Sequence, residues 1–251
     1  MNDRSQSKAG SDAESQEPWF TADFRMSTPS QLRAALVERN QRRRQQDKFE
    51  FFRRAFDFVT DNEIIGDYLE FGCHRARTFR MAINEAMFHQ IAEMRFYAFD
   101  SFCGMPPNPD GGAVLDRWST GNLSTSEAEF RSPVAHPALF QSRVKTIAGY
   151  YSDSLNKNTR EELMRDNVRA SIVCVDCDLY ESATPVFMFL NDFLQDGTVI
   201  YLDDFFAGYK GNPLRGVAGA FREFTEQCSE WRFAEYLLIG AFGKSFICYR
   251  R

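Results

Sequence analysis

The run Ala170–Val175, ASIVCV, is apolar at nearly every position rather than at alternate ones, and it runs straight into Asp176-Cys177-Asp178. A strand with one wet face alternates polar and apolar residues. A strand apolar on both parities is buried on both faces, as in a parallel sheet covered by helices. A second run, GTVIYLDD, repeats the pattern and ends on Asp203 and Asp204. Shorter runs, GDYLEFG, RFYAFDS and KTIAGY, precede these two and alternate with helical stretches. RFAEYLLI and SFICYR close the chain, joined by the short GAFGK, which reads as an antiparallel hairpin. The alternation predicts an α/β fold: a Rossmann-like three-layer sandwich with a mostly parallel seven-stranded sheet, closed by an antiparallel C-terminal hairpin.

Residues 1–26 are rich in Ser, Asp, Glu, Gln and Lys, too polar to offset the entropy of ordering, and are expected to form a disordered tail. Residues 27–251 are expected to form a single domain. Ser27-Thr28-Pro29-Ser30 reads as a helix start, with a helix over 30–60. Helices are also expected over ARTFRMAINEAMFHQIA, over NTREELMRDN with Asn158 or Thr159 as cap, after Thr184-Pro185, and over 215–227. The segment 103–125 is expected to be a lid or substrate loop.

A net charge of −5 argues against a general nucleic-acid binder, whose affinity rests on cationic contacts to phosphate. Arg39, Arg42, Arg43 and Arg44 then read as a solvated helix face. No apolar run approaches the roughly 20 residues that span a bilayer, and the N-terminus has no apolar signal core. A cytoplasmic protein without a membrane partner is expected. The six cysteines, Cys73, Cys103, Cys174, Cys177, Cys228 and Cys248, fall mostly in apolar runs and are expected as free thiols. Cys174 and Cys177 form a C-x-x-C, but an odd separation in a strand sends side chains to opposite faces.

In open α/β sheets ligands bind at the carboxyl ends of the strands. Glu70 and Gly72 end the first strand. A dinucleotide fingerprint would need further glycines, whereas this chain has His74 and Ala76, so a ligand without a diphosphate fits better. Asp100 ends the second strand, where an acid can accept from both hydroxyls of a ribose. Asp176, Asp203 and Asp204 end adjacent strands. Carboxylates brought together repel one another, and a hard cation such as Mg²⁺ relieves that repulsion. His74 is the histidine nearest these strand ends; His89 in a helix and His136 in a loop show no partner. Trp118 and Arg117 have the chemistry to stack on and hydrogen-bond a sugar, or are structural loop residues.

YLEFG, FDSFCGMP, VDCDLYES and YLDDF, in that order, resemble the macrocin O-methyltransferase family over about residues 60–250. The resemblance implies a class I S-adenosylmethionine-dependent enzyme that methylates a hydroxyl of a sugar or related natural product, assisted by Mg²⁺ or another divalent cation. Residue by residue it implies that Glu70, Gly72 and the turn to Thr78 face the methionine part. Asp100, with Ser101 and Phe102 beside it, would bind the ribose, and Gly149 and Tyr150 would lie near the adenine. Asp176, Asp203 and Asp204 would hold the cation, with Asp178 or Asp176 as the base. Ala76, and the Cys73-His74-Arg75 triplet, depart from the family pattern. Catechol-type relatives place a lysine shortly after the first metal-binding acid, where this chain has Leu179 and Tyr180. Two other readings share some of these motifs: a metal-dependent nucleotide-sugar glycosyltransferase using Asp-x-Asp, and a non-catalytic cofactor-binding module. The acceptor's identity and a homo-oligomeric state are open from sequence.

Overall fold

The computed structural model describes residues 28–107, 118–135 and 142–250. The expected tail, Arg117 and His136 lie outside them. The chain divides into two units between Gln45 and Gln46, and helix α1 (Pro29–Asp61) continues through the division. At its start Thr28 and Gln31 cap each other: the Gln31 N–H donates to Thr28 Oγ1 at 3.3 Å and the Thr28 N–H to Gln31 Oε1 at 2.9 Å. This satisfies donors that a helix start leaves open.

The described residues of the second unit carry a seven-stranded sheet in the order β3-β2-β1-β4-β5-β7-β6. The strands are β1 (Asp67–Phe71), β2 (Phe96–Asp100), β3 (Val144–Ala148), β4 (Ala170–Val175), β5 (Val199–Leu202), β6 (Trp231–Ile239) and β7 (Gly243–Arg250). The first five pair in parallel; β7 runs antiparallel to β5 and to β6. Among the described residues the α-helices after α1 are α2 (Arg77–Phe88), α3 (Glu127–Val134), α4 (Tyr151–Ser154), α5 (Lys157–Arg165), α6 (Tyr180–Leu190) and α7 (Gly216–Gln227). Among the described residues no helix is long and apolar enough to cross a membrane.

Strand parity sorts the core into two layers. Tyr68, Ile172, Cys174, Val199 and Tyr201 share one cluster with Phe51, Phe52, Ala55, Phe56 and Val59 of α1 and with Phe79, Ala82 and Ile83 of α2. Leu69, Phe71, Val173, Val175, Ile200 and Leu202 share the other with residues of α6 and α7. This double burial is why the central strands read as continuous apolar runs. It also resolves the C-x-x-C: Cys174 lies in the first layer and Cys177 in the second, and all six thiols are free.

Two helix starts differ from the sequence reading. The cap of α5 is Asn156, whose side chain accepts from the N–H groups of Asn158 and Thr159. Helix α6 begins at Tyr180, not after Thr184, so Pro185 lies inside it. The cause is the tight turn at Asp178, which has φ 64° and seats Leu179 in the interior. The chain must then climb at once, and Thr184 donates its hydroxyl back to the Tyr180 carbonyl at 3.0 Å instead of capping.

Candidate active site

Phe71 pairs with Val175 and Val175 with Leu202, so β1, β4 and β5 end level with one another. The next residues, Gly72, Asp176 and Asp203, therefore emerge along one edge. The Asp176 N–H donates to the Phe71 carbonyl at 2.8 Å and the Asp203 N–H to the Val175 carbonyl at 3.0 Å. Gly72 has φ 89°, and a Cβ there would lie 1.9 Å from the Asp176 carbonyl oxygen. Glycine is required because two backbones touch at that point.

Asp176 and Asp203 share the strand parity that faces α1, and from α1 comes a partner that the sequence reading missed. Lys48 Nζ donates to Asp203 Oδ2 at 2.7 Å and to Asp176 Oδ2 at 3.2 Å. The Tyr201 hydroxyl donates to the other Asp203 oxygen. Burial works against the Asp203 carboxylate, but Lys48 and Tyr201 together outweigh it and hold Asp203 below the usual carboxylate range. Burial likewise opposes the Lys48 charge, and the two carboxylates overcome it, so its ammonium titrates well above the usual lysine range. A signal for Lys48 existed. It stands at i, i+4, i+8 with Phe52 and Phe56, a charged residue on the stripe that α1 buries.

Asp176, Asp178 and Asp204 each offer an oxygen within 4.8 Å of the others. Burial first, and then the neighbouring acids, push Asp176 and Asp204 well above the ordinary carboxylate range. Three oxygens held that close, with repulsion as the main electrostatic contact among them, match the donor set of a hard divalent cation. Of the residues expected at a cation, Asp176 and Asp204 lie in this group. Asp203 is engaged by Lys48 and Tyr201, and Asp178, expected as a base, stands inside the group.

The β1–β2 side of the edge is built differently. Asp100 Oδ2 accepts from the N–H groups of Cys73 at 2.7 Å and His74 at 3.1 Å, and its Oδ1 accepts from Phe102 at 2.8 Å. Glu70 is fully buried. It accepts from the Tyr68 hydroxyl and, at 2.7 Å, from the Thr78 hydroxyl. Burial nevertheless dominates and pushes Glu70 up to about 8. Ala76 takes a left-handed φ of 56° at the start of α2.

Ser101 donates to the Gly104 carbonyl at 2.8 Å and Phe102 packs its ring on Phe130. The Gly149 N–H donates to the Asp100 carbonyl at 3.0 Å, and Tyr150 opens α4. The Cys103 thiol donates to the Tyr150 hydroxyl at 3.5 Å, so the start of the 103–125 segment meets the end of β3. Met105 and Asn122 close the base of that segment by a backbone hydrogen bond of 2.9 Å. His74 Nδ1 lies 2.8 Å from the Leu123 carbonyl and 2.9 Å from the Thr125 hydroxyl, joining the β1 turn to the same segment. Trp118 is 1% exposed and packs with Met105, Leu179 and Ala207, so it is a wall of the interior and not a sugar platform. His89 bonds Asp57 Oδ1 at 3.0 Å, a partner invisible in sequence.

A parallel sheet in this order, with a reversed last strand and a polar carboxyl edge, has the architecture of the class I S-adenosylmethionine-dependent methyltransferases. The chain belongs to the macrocin-O-methyltransferase (TylF) family, whose model matches residues 23–227. It is 24% identical over 163 residues to demethyldecarbamoylnovobiocin O-methyltransferase of Streptomyces niveus. That match takes in 63% of this chain and 60% of the relative's length. Its fold is similar to the O-methyltransferase NovP, with a TM-score of 0.62, 20% identity, and coverage of 80% of this chain and 79% of that one. It is also similar to CalS11, the calicheamicin methyltransferase, with a TM-score of 0.65, 17% identity, and coverage of 88% and 87%.

Proposed function

We propose that this chain methylates a hydroxyl on a sugar or sugar-bearing natural product, with S-adenosylmethionine as donor and a divalent cation, Mg²⁺ by its oxygen donors, as assistant. One observation carries the reading: the Asp176–Asp178–Asp204 group stands directly beside the Gly72 turn, which packs on the Asp176 backbone. Donor and acceptor sites therefore share one edge, and holding two reactants at attack distance supplies much of the acceleration of a group transfer.

Asp100 is assigned to the ribose, since its oxygens are aimed by three backbone N–H groups and keep lone-pair capacity. Glu70, Gly72 and Thr78 line the methionine end, Ser101 and Phe102 flank the ribose, and Gly149 and Tyr150 border the adenine. Asp176 and Asp204 are assigned to the cation, with Asp178 the third oxygen of their group and Asp203 beside them under Lys48. A cation there supplies Lewis acidity that makes a sugar hydroxyl easier to deprotonate. Asp178 is the stronger assignment for the base, because Asp176 is tied to Lys48. Its carboxylate would take the proton of the acceptor hydroxyl, and S-adenosylmethionine held by the β1–β2 residues would supply the methyl group.

CalS11 is a TDP-rhamnose 3'-O-methyltransferase, and the Streptomyces niveus relative acts on demethyldecarbamoylnovobiocin. These compounds head the acceptor panel. The family match and the Glu70–Gly72–Asp100 turn favour methyl transfer over the glycosyltransferase that shares Asp-x-Asp. Calorimetry with S-adenosylhomocysteine, melting with and without Mg²⁺, and mass spectrometry of the panel test the proposal. Micromolar cofactor binding, a Mg²⁺-dependent rise in melting temperature and a gain of one methyl on a sugar are expected. No cofactor binding, or full turnover in chelator, sinks the donor or the cation part respectively.

A further inference from the structure

His74 is engaged at two places at once. Its backbone N–H donates to Asp100 Oδ2 at 3.1 Å, beside that of Cys73 at 2.7 Å. Its ring Nδ1 lies 2.8 Å from the Leu123 carbonyl and 2.9 Å from the Thr125 hydroxyl, 49 and 51 residues further along the chain. A carbonyl only accepts, so the proton sits on Nδ1 and the Thr125 hydroxyl is its second acceptor. Burial holds the imidazole below its usual range, which leaves it uncharged at neutral pH. Both ends of the ring bond are left-handed, with φ 36° at His74 and 58° at Leu123. Residues with a Cβ keep such conformations where surrounding contacts hold them, and the ring bond is one such contact. The stretch 118–125 leads from there to the other half of the edge. Trp118 packs on Leu179, which follows Asp178, and a Cβ at Gly208 would lie 2.6 Å from its ring.

We propose that His74 is a positioning residue that couples the cofactor site to the 118–125 stretch. The ring bond holds the His74 backbone in the conformation that aims its N–H at Asp100. A cofactor ribose seated on Asp100 and a docked 118–125 stretch therefore stabilise each other. The inference rests on the assignment of Asp100 to the ribose. By reciprocity, the factor by which the cofactor product slows opening of the stretch equals the factor by which breaking the ring bond weakens its binding.

Hydrogen exchange on the full chain, with and without saturating S-adenosylhomocysteine, reads the first factor at the amides of 118–125, and calorimetry reads the second. In the parent, exchange there should slow by on the order of fivefold or more. His74→Gln carries its amide past the place of Nδ1, so it should lose this protection and bind S-adenosylhomocysteine more weakly by the same factor. His74→Asn offers an N–H close to the place of Nδ1 and tolerates a left-handed φ, so it should keep both. A histidine that only shapes the β1 turn would give the two variants the same affinity and leave exchange at 118–125 untouched. A parent that binds S-adenosylhomocysteine without protecting 118–125 overturns the inference. So does a glutamine variant that protects as the parent does, or an asparagine variant no better than the glutamine one. If the parent does not bind S-adenosylhomocysteine, or Asp100→Ala binds it unaltered, the ribose assignment fails and this inference with it; binding that depends on Asp100 but is not coupled to exchange removes this inference alone. Melting is the folding control, and His74→Ala replaces the glutamine variant if that does not fold.

Discussion

The two halves of the strand edge handle buried acids in opposite ways. At β1 and β2 each carboxylate is satisfied locally: Asp100 by three backbone N–H groups, Glu70 by two hydroxyls. At β4 and β5 four aspartates gather at the strand ends, and one ammonium, that of Lys48, reaches two of them, Asp176 and Asp203. The first half is finished by its own donors and needs a ligand only for function. The second carries repulsion that a further cation would relieve. Preorganised dipoles suit the recognition of a fixed cofactor, and surplus negative charge suits a metal that must be held where a proton is to be lost.

The difference can be broken most severely at the base. Asp178→Asn keeps the size of the side chain and removes its proton affinity. Turnover should fall by about two to four orders of magnitude, with S-adenosylhomocysteine binding nearly unchanged. Normal turnover in a folded variant would shift the role to Asp176. On the other half, Asp100→Ala strips three N–H donors of their acceptor. A loss of roughly 2–4 kcal/mol in cofactor affinity is expected by calorimetry. Unaltered affinity would rule Asp100 out as the ribose acid.

A smaller effect comes from protons. Glu70 keeps its proton to about pH 8 in the folded chain, against an ordinary 4.5, because it is buried. The folded state therefore binds more protons than the unfolded one between those values. The contribution of this group is fullest below pH 4.5 and is lost as pH rises toward 8. Glu70→Gln does not titrate, so its melting temperature should fall less steeply over that range. Some slope should persist, since Asp176 and Asp204 are displaced in the same direction. An identical slope in parent and variant would show that Glu70 is ionised in the fold. The smallest change is expected from Ala76→Gly. It relieves a left-handed alanine, worth roughly 1–2 kcal/mol, but removes a buried methyl worth about 0.8 kcal/mol. Chemical denaturation should show a gain of about 1 kcal/mol or less; a clear loss would mean that the methyl's packing outweighs the strain.

Much of this was legible in residue order. Parity-blind apolar runs announced strands buried on both faces, and the position of Asp100, Asp176, Asp203 and Asp204 at their ends announced a polar edge. Helix starts were less legible. The turn at Asp178 acts through backbone conformation, which side-chain propensity reports weakly, and at α5 the capping-type residues Asn156, Asn158 and Thr159 lie too close together for propensity to choose among them. Trp118 shows the same limit: an aromatic in a loop reads as a sugar platform or as packing, and only its burial against Leu179 and Ala207 decides.

What the amino-acid order determined by itself was the sheet, its closing hairpin and the edge at which polar groups collect. These follow from local periodicity and from which residues can be buried. How the acids are shared out was decided by tertiary structure alone. Asp203 and Asp204 are neighbours in sequence, yet they leave the strand on opposite parities. Asp203 meets Lys48 from a helix 155 residues away, while Asp204 meets Asp178 across the turn that opens α6. Coulomb energy depends on distance in space, and no local pattern in the chain records that distance.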